Sequence, residues 1–401
     1  MSRSVIRYLS GVATVVTMAH PSHVFRAFIL SYQSKADLPF QEIHAVKQIN
    51  MGIIGTGWCG GIRADTCAIN PAVKDLHIVE TRPERLAEVA RATGAKTASD
   101  DYRKLLEVKD LDAVMISATP ESLHYPMARD CLEAGLHVFM EKPIAVELHE
   151  ADDLIAIARR KGVKFTIGYS QRFNPKYAYV KKCLDSGAIG KPVSAMVSRH
   201  IQRSLGAKIT GRSKLSPAAM EATHDLDFIL WCLAPAKPIR VYSQTNYGVM
   251  RANSGKDVPD TQWITVTMDS GMSFVIGAGW SLPPGYPNAC STWIEMIGTD
   301  GALMVDDTHR DVILNTMKSG MQLPMSSMPG ERVDHAFAGP MHAETVHFIE
   351  AVCCDRPVLV TAEEARNVME LYVAADISAE RNEPVSLPLP ESRPLAAVGG
   401  R

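Results

Sequence analysis

The chain has 401 residues, a net charge of −2, 21% charged residues and 46% hydrophobic residues. This length is typical of two domains, and the composition is typical of a globular protein with a substantial core. The near-neutral charge gives no electrostatic reason to expect a nucleic-acid partner. No apolar run reaches the roughly 18–20 residues that a membrane helix needs. The sequence therefore predicts neither a nucleic-acid partner nor a membrane partner.

The N-terminal segment and the cysteine spacing both give information about the cellular location of the protein. Residues 1–46 are predicted to be an extension outside the fold, either disordered or not native, since in a bacterial gene Val46 could mark the true start. The segment up to Arg26 contains three arginines and no acid, so a targeting segment is the alternative. The eight cysteines are scattered without a C-x-x-C spacing, which predicts reduced thiols and a cytoplasmic location.

Strands and helices are predicted to alternate through the first part of the chain. Short apolar runs predict strands, and stretches with helical periodicity that end at glycine or proline predict helices. The predicted strands are residues 49–54, 76–80, 112–117, 137–140 and 164–168, and the helices are 63–69, 83–93, 101–107, 122–134 and 148–161. Such alternation gives parallel strands joined by right-handed crossovers. Residues 47–168 are therefore predicted to form a Rossmann domain with a doubly wound parallel sheet.

The pattern changes after residue 168, because short turns now join consecutive strands. The predicted strands are 193–202, 240–247, 262–268, 272–280, 291–297 and 302–305, and helices at 175–186, 219–232, 341–353 and 362–380 flank them. Residues 169–386 are therefore predicted to form an α+β domain with a mostly antiparallel, open sheet that serves substrate binding and oligomerisation. Residues 387–401, rich in proline, are predicted to be a disordered tail.

A glycine motif, G-x-G-x-x-G, occupies residues 55–60 directly after the first predicted strand and opens a helix. In this context the glycines permit a tight turn, close approach of backbone to a pyrophosphate, and close helix packing. The helix N-terminus then faces the phosphates. The predicted cofactor contacts in this loop are Gly55, Gly57, Trp58, Cys59 and Gly60.

Glu80 ends the second predicted strand, where a carboxylate accepts hydrogen bonds from the adenosine ribose and repels a 2′-phosphate. This position favours NAD as the cofactor. Arg82 lies two residues further on and could instead pair with a 2′-phosphate, so NADP stays possible. Thr119, Pro120 and His124 follow the third predicted strand, at the edge of a parallel sheet that lines the cofactor crevice, and are predicted cofactor contacts.

Glu141, Lys142 and Pro143 follow the strand at residues 137–140. Proline ends the strand at the cleft because it has no backbone N–H. Lys142 would then point toward the nicotinamide end, where an ammonium can hydrogen-bond a reacting hydroxyl and stabilise a developing alkoxide. Glu141 and Lys142 are both predicted cofactor contacts, and Lys142 is also a predicted catalytic residue.

Glu221, His224 and Asp227 are spaced three apart at the start of a predicted helix, so neighbouring members share a face. An imidazole oriented by a carboxylate can accept the proton of an alcohol that is being oxidised. Glu221 and His224 are therefore predicted catalytic residues. A metal pair is the alternative reading, but no third ligand is evident, and no metal is predicted.

These motifs together resemble the Gfo/Idh/MocA family, named for glucose–fructose oxidoreductase and inositol dehydrogenase. The resemblance covers residues 47–386 and depends most on Glu141-Lys142-Pro143 with the later His224. Its other elements are the glycine loop, Thr119-Pro120 with His124, Gly168-Tyr169-Ser170-Gln171-Arg172-Phe173-Asn174-Pro175, Thr223-His224-Asp225-Leu226-Asp227, Ile297-Gly298-Thr299-Asp300-Gly301, Phe348-Ile349-Glu350-Ala351 before Arg356-Pro357, and Ser378-Ala379-Glu380-Arg381.

The resemblance implies hydride transfer between NAD(P) and a hydroxyl or carbonyl carbon, usually of a sugar, cyclitol or glycoside. It implies that His224 takes the hydroxyl proton, that Lys142 assists, and that Arg172 belongs to the cofactor site. It also implies a homodimer or homotetramer. Many relatives carry an acid four residues before the histidine, where this chain has Met220, so Glu221 either substitutes for it or the acid is absent. Two alternatives stay open: an NADP-dependent reductase of another carbonyl substrate, and a non-catalytic dinucleotide-binding sensor or scaffold.

Overall fold

The computed structural model describes residues 47–308, 312–324 and 330–390. The predicted extension at residues 1–46 and most of the predicted tail, residues 391–401, lie outside the described residues. The described chain is organised around two sheets that belong to one compact unit.

The first sheet has six parallel strands in the order β3-β2-β1-β4-β5-β6. Its strands are β1 (Ile49–Ile54), β2 (Val73–Val79), β3 (Thr97–Ser99), β4 (Ala113–Ile116), β5 (His137–Met140) and β6 (Phe165–Ile167). Its helices are α1 (Trp58–Ile69), α2 (Pro83–Thr93), α3 (Arg103–Leu106), α4 (His124–Glu133) and α5 (Leu148–Lys161). The strand order reverses between β1 and β4, which is where doubly wound sheets bind their ligands.

Helices cover both faces of this sheet, which is why its strands read as almost continuous apolar runs. Every residue of β1 is buried. Ile49, Met51 and Ile53 pack into one apolar cluster, whereas Ile54 packs into the other. The first cluster also contains Phe348 of a helix from the second half of the chain, so the two halves share a core.

The second sheet has seven strands in the order β12-β11-β7-β10-β9-β8-β17. Its strands are β7 (Pro192–Gln202), β8 (Pro238–Asn246), β9 (Thr261–Met268), β10 (Ser273–Leu282), β11 (Cys290–Gly298), β12 (Ala302–Asp306) and β17 (Val385–Ser386). The pairings are antiparallel except that β7 and β10 run parallel. The predicted fold class is confirmed: a parallel Rossmann sheet followed by a mostly antiparallel, mixed sheet.

Helices cover one face of the second sheet and leave the other open. They are α6 (Pro175–Asp185), α8 (Thr223–Leu233) and α11 (Ala362–Arg381), whereas α10 (Pro340–Cys353) packs against α1 and β1 of the first half. Leu226 and Phe228 of α8 and Leu371 of α11 join one cluster with Val197 and Ile264 from the strands. No helix among the described residues is long and apolar enough to cross a membrane.

Several short elements were not predicted from the sequence. They are β3, the helices α7 (Arg203–Thr210) and α9 (Val249–Ser254), and two hairpins formed by β13 (Leu314–Thr316) with β14 (Gly320–Gln322) and by β15 (Glu331–Val333) with β16 (Ala336–Ala338). The first residues of the predicted tail are also ordered by contacts. The Leu387 backbone donates to Ile239, and the Leu389 backbone donates to the Glu370 carboxylate.

Candidate active site

The glycine loop between β1 and α1 leaves no room for side chains at two of its three glycines. Gly55 has φ +83°, and a Cβ there would lie 2.7 Å from the Ser117 carbonyl oxygen. A Cβ on Gly60 would lie 1.9 Å from the Gly55 oxygen, whereas a Cβ on Gly57 would meet nothing within 4 Å. The α1 N-terminus has no side-chain cap and no acid in its first turn. Its free N–H groups and the open space at Gly57 therefore suit a dinucleotide pyrophosphate.

Gly60→Ala and Gly57→Ala are expected to separate loop folding from cofactor binding. Gly60→Ala should lower both the melting temperature and the NADH affinity, because its Cβ overlaps the Gly55 carbonyl. Gly57→Ala should leave the melting temperature within about 1–2 °C of the parent and weaken NADH binding about tenfold or more, because its methyl group enters the space for the phosphates. Thermal denaturation and NADH fluorescence titration measure the two effects. Equal losses of stability in both variants would contradict this account.

A cavity of about 570 Å³ opens from the glycine loop along the carboxyl ends of β1, β2 and β4. Its size is within the usual range for cofactor sites. Five predicted cofactor contacts line it: Gly55, Gly57, Glu80, Arg82 and Thr119. Trp58, at the first position of α1, is 60% exposed and does not line this cavity.

Two other predicted cofactor contacts near this edge, His124 and Cys59, interact with neighbouring groups of the protein in the structure. Each ring nitrogen of His124 lies within hydrogen-bonding distance of a carbonyl oxygen, Nδ1 at 2.8 Å from Pro143 and Nε2 at 3.1 Å from Ala118. His124 therefore ties the loop that contains Thr119 and Pro120 to the turn after β5. Burial, with repulsion from Glu141, raises the pKa of Cys59 to about 12, so this residue stays a thiol at neutral pH.

Lys142 is placed between the two halves of the molecule, at the end of β5. Its Nζ donates a 2.7 Å hydrogen bond to the carbonyl oxygen of Met220. Met220 lies in a single π-helical turn, Ala218–Ala222, that leads directly into α8. Such turns are frequent at functional sites. The backbone of Met220 thus contacts the lysine, although the acidic side chain common at this position in the family is absent.

His224 lies one turn further on, close enough to Lys142 to respond to its charge. Burial, together with the charges of Lys142 and Arg199, holds the pKa of His224 well below its usual value, so the ring is neutral. The Nδ1 atom is buried and has no hydrogen-bond partner among the described residues. The ring of Tyr169 meets the imidazole edge-on at 6.3 Å, and the Tyr169 hydroxyl hydrogen-bonds Thr223 at 2.8 Å. A neutral imidazole with an unused ring nitrogen is suited to accept a proton.

The carboxylate that the spacing predicted to orient His224 has another partner in the structure. Asp227 binds Arg172, with distances of 2.6 and 3.0 Å, and Asp225 binds Arg199 in the same two-pronged way. Neither acid is therefore available to the imidazole. Glu221 is half-buried and accepts no hydrogen bond in the described part of the chain. Burial raises the pKa of its carboxyl, against the opposing effect of Lys142 and Arg199.

Arg172 lies in a 3-10 turn after β6 and is buried, with 1% of its side chain exposed. Besides Asp227, its guanidinium donates to the Leu359 carbonyl oxygen and to Glu364 of α11, each at 3.0 Å. Three segments of the chain thus meet at this one side chain. These contacts are structural, and the role of Arg172 at the cofactor stays a prediction.

Sequence reasoning missed a buried ion cluster behind the glycine loop. Arg63 of α1 lies 2.6 Å from Glu141 and 3.0 Å from Glu344 of α10. One guanidinium cannot neutralise both carboxylates, so burial and repulsion from the half-buried Glu141 raise the pKa of the buried Glu344 to about 8 despite Arg63. Through Arg63, the cluster links Glu141, the neighbour of Lys142, to Glu344 in the second half of the chain. No periodicity or motif in the sequence indicates this cluster, because Arg63 and Glu344 are 281 positions apart in the chain.

A metal centre is not apparent at this site. Among the described residues, no group of three or more histidine, cysteine, aspartate or glutamate side chains is arranged to hold a metal ion. His224 and Glu221 therefore have no visible third ligand.

Comparison with known protein families matches both halves of the chain. A family model described as an oxidoreductase family with an NAD-binding Rossmann fold matches residues 49–169. The C-terminal domain model of the same family, GFO/IDH/MocA, matches residues 177–304. The chain belongs to the Gfo/Idh/MocA oxidoreductase family. The predicted resemblance, the enzyme class and NAD as the cofactor are thereby confirmed.

Relatives of similar length support this membership. The chain is 26% identical to the uncharacterized oxidoreductase YrbE of Bacillus subtilis, over 85% of this chain and 97% of that protein. It is also 26% identical to the scyllo-inositol 2-dehydrogenase (NAD(+)) of Bacillus subtilis, over 85% of this chain and 96% of the relative.

Solved structures show the same fold. The scyllo-inositol dehydrogenase of Lactobacillus casei, with bound NAD(H) and scyllo-inositol, superposes with a TM-score of 0.72 at 23% identity, covering 85% of this chain and 99% of that one. GenD2 from gentamicin A biosynthesis, in complex with NAD, gives a TM-score of 0.75 at 21% identity over 86% of this chain and 98% of its own.

Proposed function

We propose that the protein is an NAD-dependent dehydrogenase that oxidises a secondary hydroxyl of a sugar, cyclitol or glycoside, or reduces the matching carbonyl. The observation that carries the proposal is the meeting of Lys142, from the Rossmann half, with the turn before His224, from the other half. This contact brings the ammonium of Lys142 and the neutral imidazole of His224 together at the sheet edge where the family binds NAD. The relatives named for inositol, levoglucosan and UDP-N-acetylglucosamine dehydrogenation suggest the substrate class.

Each polar group has a role in this proposal. Bound NAD supplies the hydride acceptor. The neutral ring of His224 takes the hydroxyl proton, because its depressed pKa leaves the imidazole unprotonated at neutral pH. Lys142 keeps one N–H on the Met220 carbonyl and donates another to the substrate oxygen, which stabilises the developing negative charge. Glu221, which accepts no hydrogen bond from the described residues, is available to bind a second hydroxyl of the polyol.

The decisive experiment measures NADH formation across inositols, sugars, glycosides and sugar acids. We expect one substrate group to reduce NAD in the native chain and not in Lys142→Ala. NADH that binds normally, without turnover on any polyol by the native chain, would contradict the dehydrogenase proposal and favour a sensor or scaffold role.

We also propose that the protein is a homodimer or homotetramer joined through the open face of the second sheet. This face exposes five large apolar side chains from five different strands: Met196, Tyr242, Trp263, Ile297 and Met304. Exposed apolar side chains on one sheet face are typical of an interaction site. Trp263 packs over Gly277, where a Cβ would lie 2.6 Å from the indole.

Trp263→Glu is expected to reduce the oligomeric state, because it places a charge in the middle of the apolar face. Light scattering after size-exclusion chromatography should show the native chain as a dimer or tetramer and the variant as a smaller species. Thr265→Glu, at a neighbouring exposed position of β9, tests whether a negative charge on this face is enough to dissociate the oligomer without the loss of the indole. A monomeric native chain would contradict the proposal.

We further propose a cytoplasmic location. Seven of the eight cysteines (Cys59, Cys67, Cys131, Cys183, Cys232, Cys353 and Cys354) are free thiols in the structure, which suits a reducing compartment. Cell fractionation with the full chain tests this, and recovery of the protein from an oxidising compartment would contradict it.

A further inference from the structure

A hydrogen-bond network connects helix α11 to the π-helical turn that leads into α8. The carboxylate of Asp376, on α11, accepts one side-chain hydrogen bond on each oxygen. Gln262 of β9 donates to Oδ1 at 2.9 Å, and the hydroxyl of Ser216 donates to Oδ2 at 2.8 Å. The amide oxygen of Gln262 in turn accepts from the Ala218 backbone at 3.0 Å. The Ser216 hydroxyl oxygen accepts from the Ala219 backbone at 3.2 Å.

The carboxylate of Asp376 sets the direction of these four hydrogen bonds, because a carboxylate only accepts. It takes an N–H of the Gln262 amide, which turns the amide oxygen toward Ala218. It also takes the single hydroxyl proton of Ser216, which leaves lone pairs of that oxygen for the Ala219 backbone. Burial raises the pKa of Asp376 to about 6 against the two hydrogen bonds, so the carboxylate form still predominates at neutral pH.

The groups between the carboxylate and the turn have little freedom to rearrange. Gln262, Ser216 and the turn residues Ala218 and Ala219 are all buried. The second N–H of the Gln262 amide donates to the Ser243 hydroxyl at 3.1 Å, so a flip of this amide would break several hydrogen bonds at once. A buried backbone N–H that loses its acceptor is costly. The network therefore favours one position for the first residues of the turn.

The same turn provides the hydrogen-bond acceptor of Lys142. The Met220 carbonyl oxygen accepts the 2.7 Å bond from Nζ, and the Met220 backbone N–H donates to the carbonyl oxygen of Ser216 at 3.0 Å. His224 follows four residues after Met220, in the first turn of α8. A displacement of the turn would therefore move both the Met220 carbonyl and the imidazole relative to Lys142.

Helix α11 also contacts the Rossmann half, which carries Lys142. Arg366 of α11 lies 2.9 Å from Asp152 of α5, and Glu363 of α11 lies 2.7 Å from Arg159 of α5. The helix thus contacts the half that carries the lysine through its first turns and the π-helical turn through a later one. It is placed to keep the two parts of the active site in register.

We propose that Asp376 is a positioning residue that holds the π-helical turn where the Met220 carbonyl binds Lys142. This role requires no contact of Asp376 with cofactor or substrate. Its catalytic consequence rests on the proposed dehydrogenase activity, whereas the position of the turn is measurable without a substrate. Because the carboxylate acts on the geometry of the reacting groups, its loss should lower kcat more than it weakens binding.

Asp376→Asn tests this role. Asparagine keeps the shape of the side chain but places an NH2 group against Ser216 or Gln262, which disturbs the bonds to the turn. We expect kcat to fall at least about tenfold, with KM and the NADH dissociation constant within about threefold of the native values. By mass spectrometry, we expect the amides of residues 218–219 to exchange hydrogen at least about tenfold faster, and acetic anhydride to modify Lys142 at least about threefold faster.

Glu370→Gln is the matched control, because it makes the same carboxylate-to-amide change on the same helix. The Glu370 carboxylate binds Arg366 and the Leu389 backbone rather than the π-helical turn. This variant should leave kcat, the exchange rates of the turn and the modification of Lys142 unchanged. Melting temperatures show whether each variant is folded and how much stability it has lost.

Ser216→Ala is a second test that does not depend on the folding of Asp376→Asn. It removes the hydroxyl between Asp376 and the Ala219 backbone and leaves the hydrogen bond from Gln262 in place. We expect kcat, the exchange rates and the modification of Lys142 to change in the same direction as in Asp376→Asn.

Three results would overturn the proposal. The first is native exchange of the turn and native modification of Lys142 in the folded variants. The second is an unchanged kcat in Asp376→Asn, and the third is an equal fall of kcat in Glu370→Gln, which would make the effect a general loss of stability. Exchange and modification need no substrate. A native chain inactive on every polyol would therefore contradict the dehydrogenase proposal, and these two measurements would still decide whether Asp376 holds the turn against Lys142.

Discussion

Lys142→Met is expected to reduce turnover by about 10²–10⁴-fold while NADH still binds. The Nζ of Lys142 is fixed by its 2.7 Å bond to the Met220 carbonyl, so the ammonium is already positioned beside His224 before substrate arrives. Methionine keeps most of the volume of the side chain and removes the donor. The loss should therefore appear mainly in kcat, because the hydrogen bond to the reacting oxygen strengthens as negative charge develops.

Steady-state kinetics on the substrate group found for the native chain, with NADH titration in parallel, measure both effects. Lys74→Met is the matched control, since Lys74 is exposed at the amino end of β2, away from the edge that binds the cofactor. A Lys142→Met enzyme that retains more than about a tenth of the native kcat would exclude the lysine from the chemistry. A variant that loses NADH binding would instead make Lys142 chiefly a cofactor ligand.

The Rossmann half could be predicted from sequence because its signals are local. Most of its strands are short apolar runs, four of its helices (α1, α2, α4 and α5) are followed within two residues by a glycine or proline, and the glycine loop lies directly between β1 and α1. Positions such as Gly60 are decided by contacts within the motif itself, here the Gly55 carbonyl. The sheet order and the crossovers then follow from handedness rules that hold for nearly all such folds.

The second half was predicted less completely, because its irregular pieces depend on contacts far away in sequence. Helix α7 contains Gly206, which weakens a helical pattern, yet a Cβ there would lie 2.4 Å from Trp280, so the glycine is what lets the helix pack. The parallel pairing of β7 with β10 joins strands separated by two others, β8 and β9, along the chain. Periodicity marks a strand but does not identify its partner.

In the candidate active site, the sequence predicted which residues take part but not which side chains they pair with. The spacing of Glu221, His224 and Asp227 indicated one helix face, but burial decided the pairing. Asp227 is fully buried, and a buried carboxylate needs a cation, which arrives as Arg172 from 55 residues earlier. The imidazole of His224 is left neutral, which is the state that accepting a proton requires.

Arg172→Met is expected to lower the free energy of unfolding by about 3–5 kcal/mol, because it leaves the buried carboxylate of Asp227 without its cation. The variant also loses the bonds to Leu359 and Glu364 that join the turn after β6 to α11. If Arg172 has only this structural role, the NADH dissociation constant of the folded variant should change less than about threefold. Denaturant unfolding and NADH titration on the same preparation measure the two quantities.

The double variant Arg172→Met, Asp227→Leu separates the structural role from cofactor binding. Removing both charges eliminates the uncompensated carboxylate, so much of the lost stability should return, as when a buried ion pair is replaced by apolar groups. NADH affinity would then stay near the native value. If NADH binding is instead weakened in the single variant and remains weak after stability is restored, the arginine contacts the cofactor as the family resemblance implies, and the ion pair with Asp227 serves to position it.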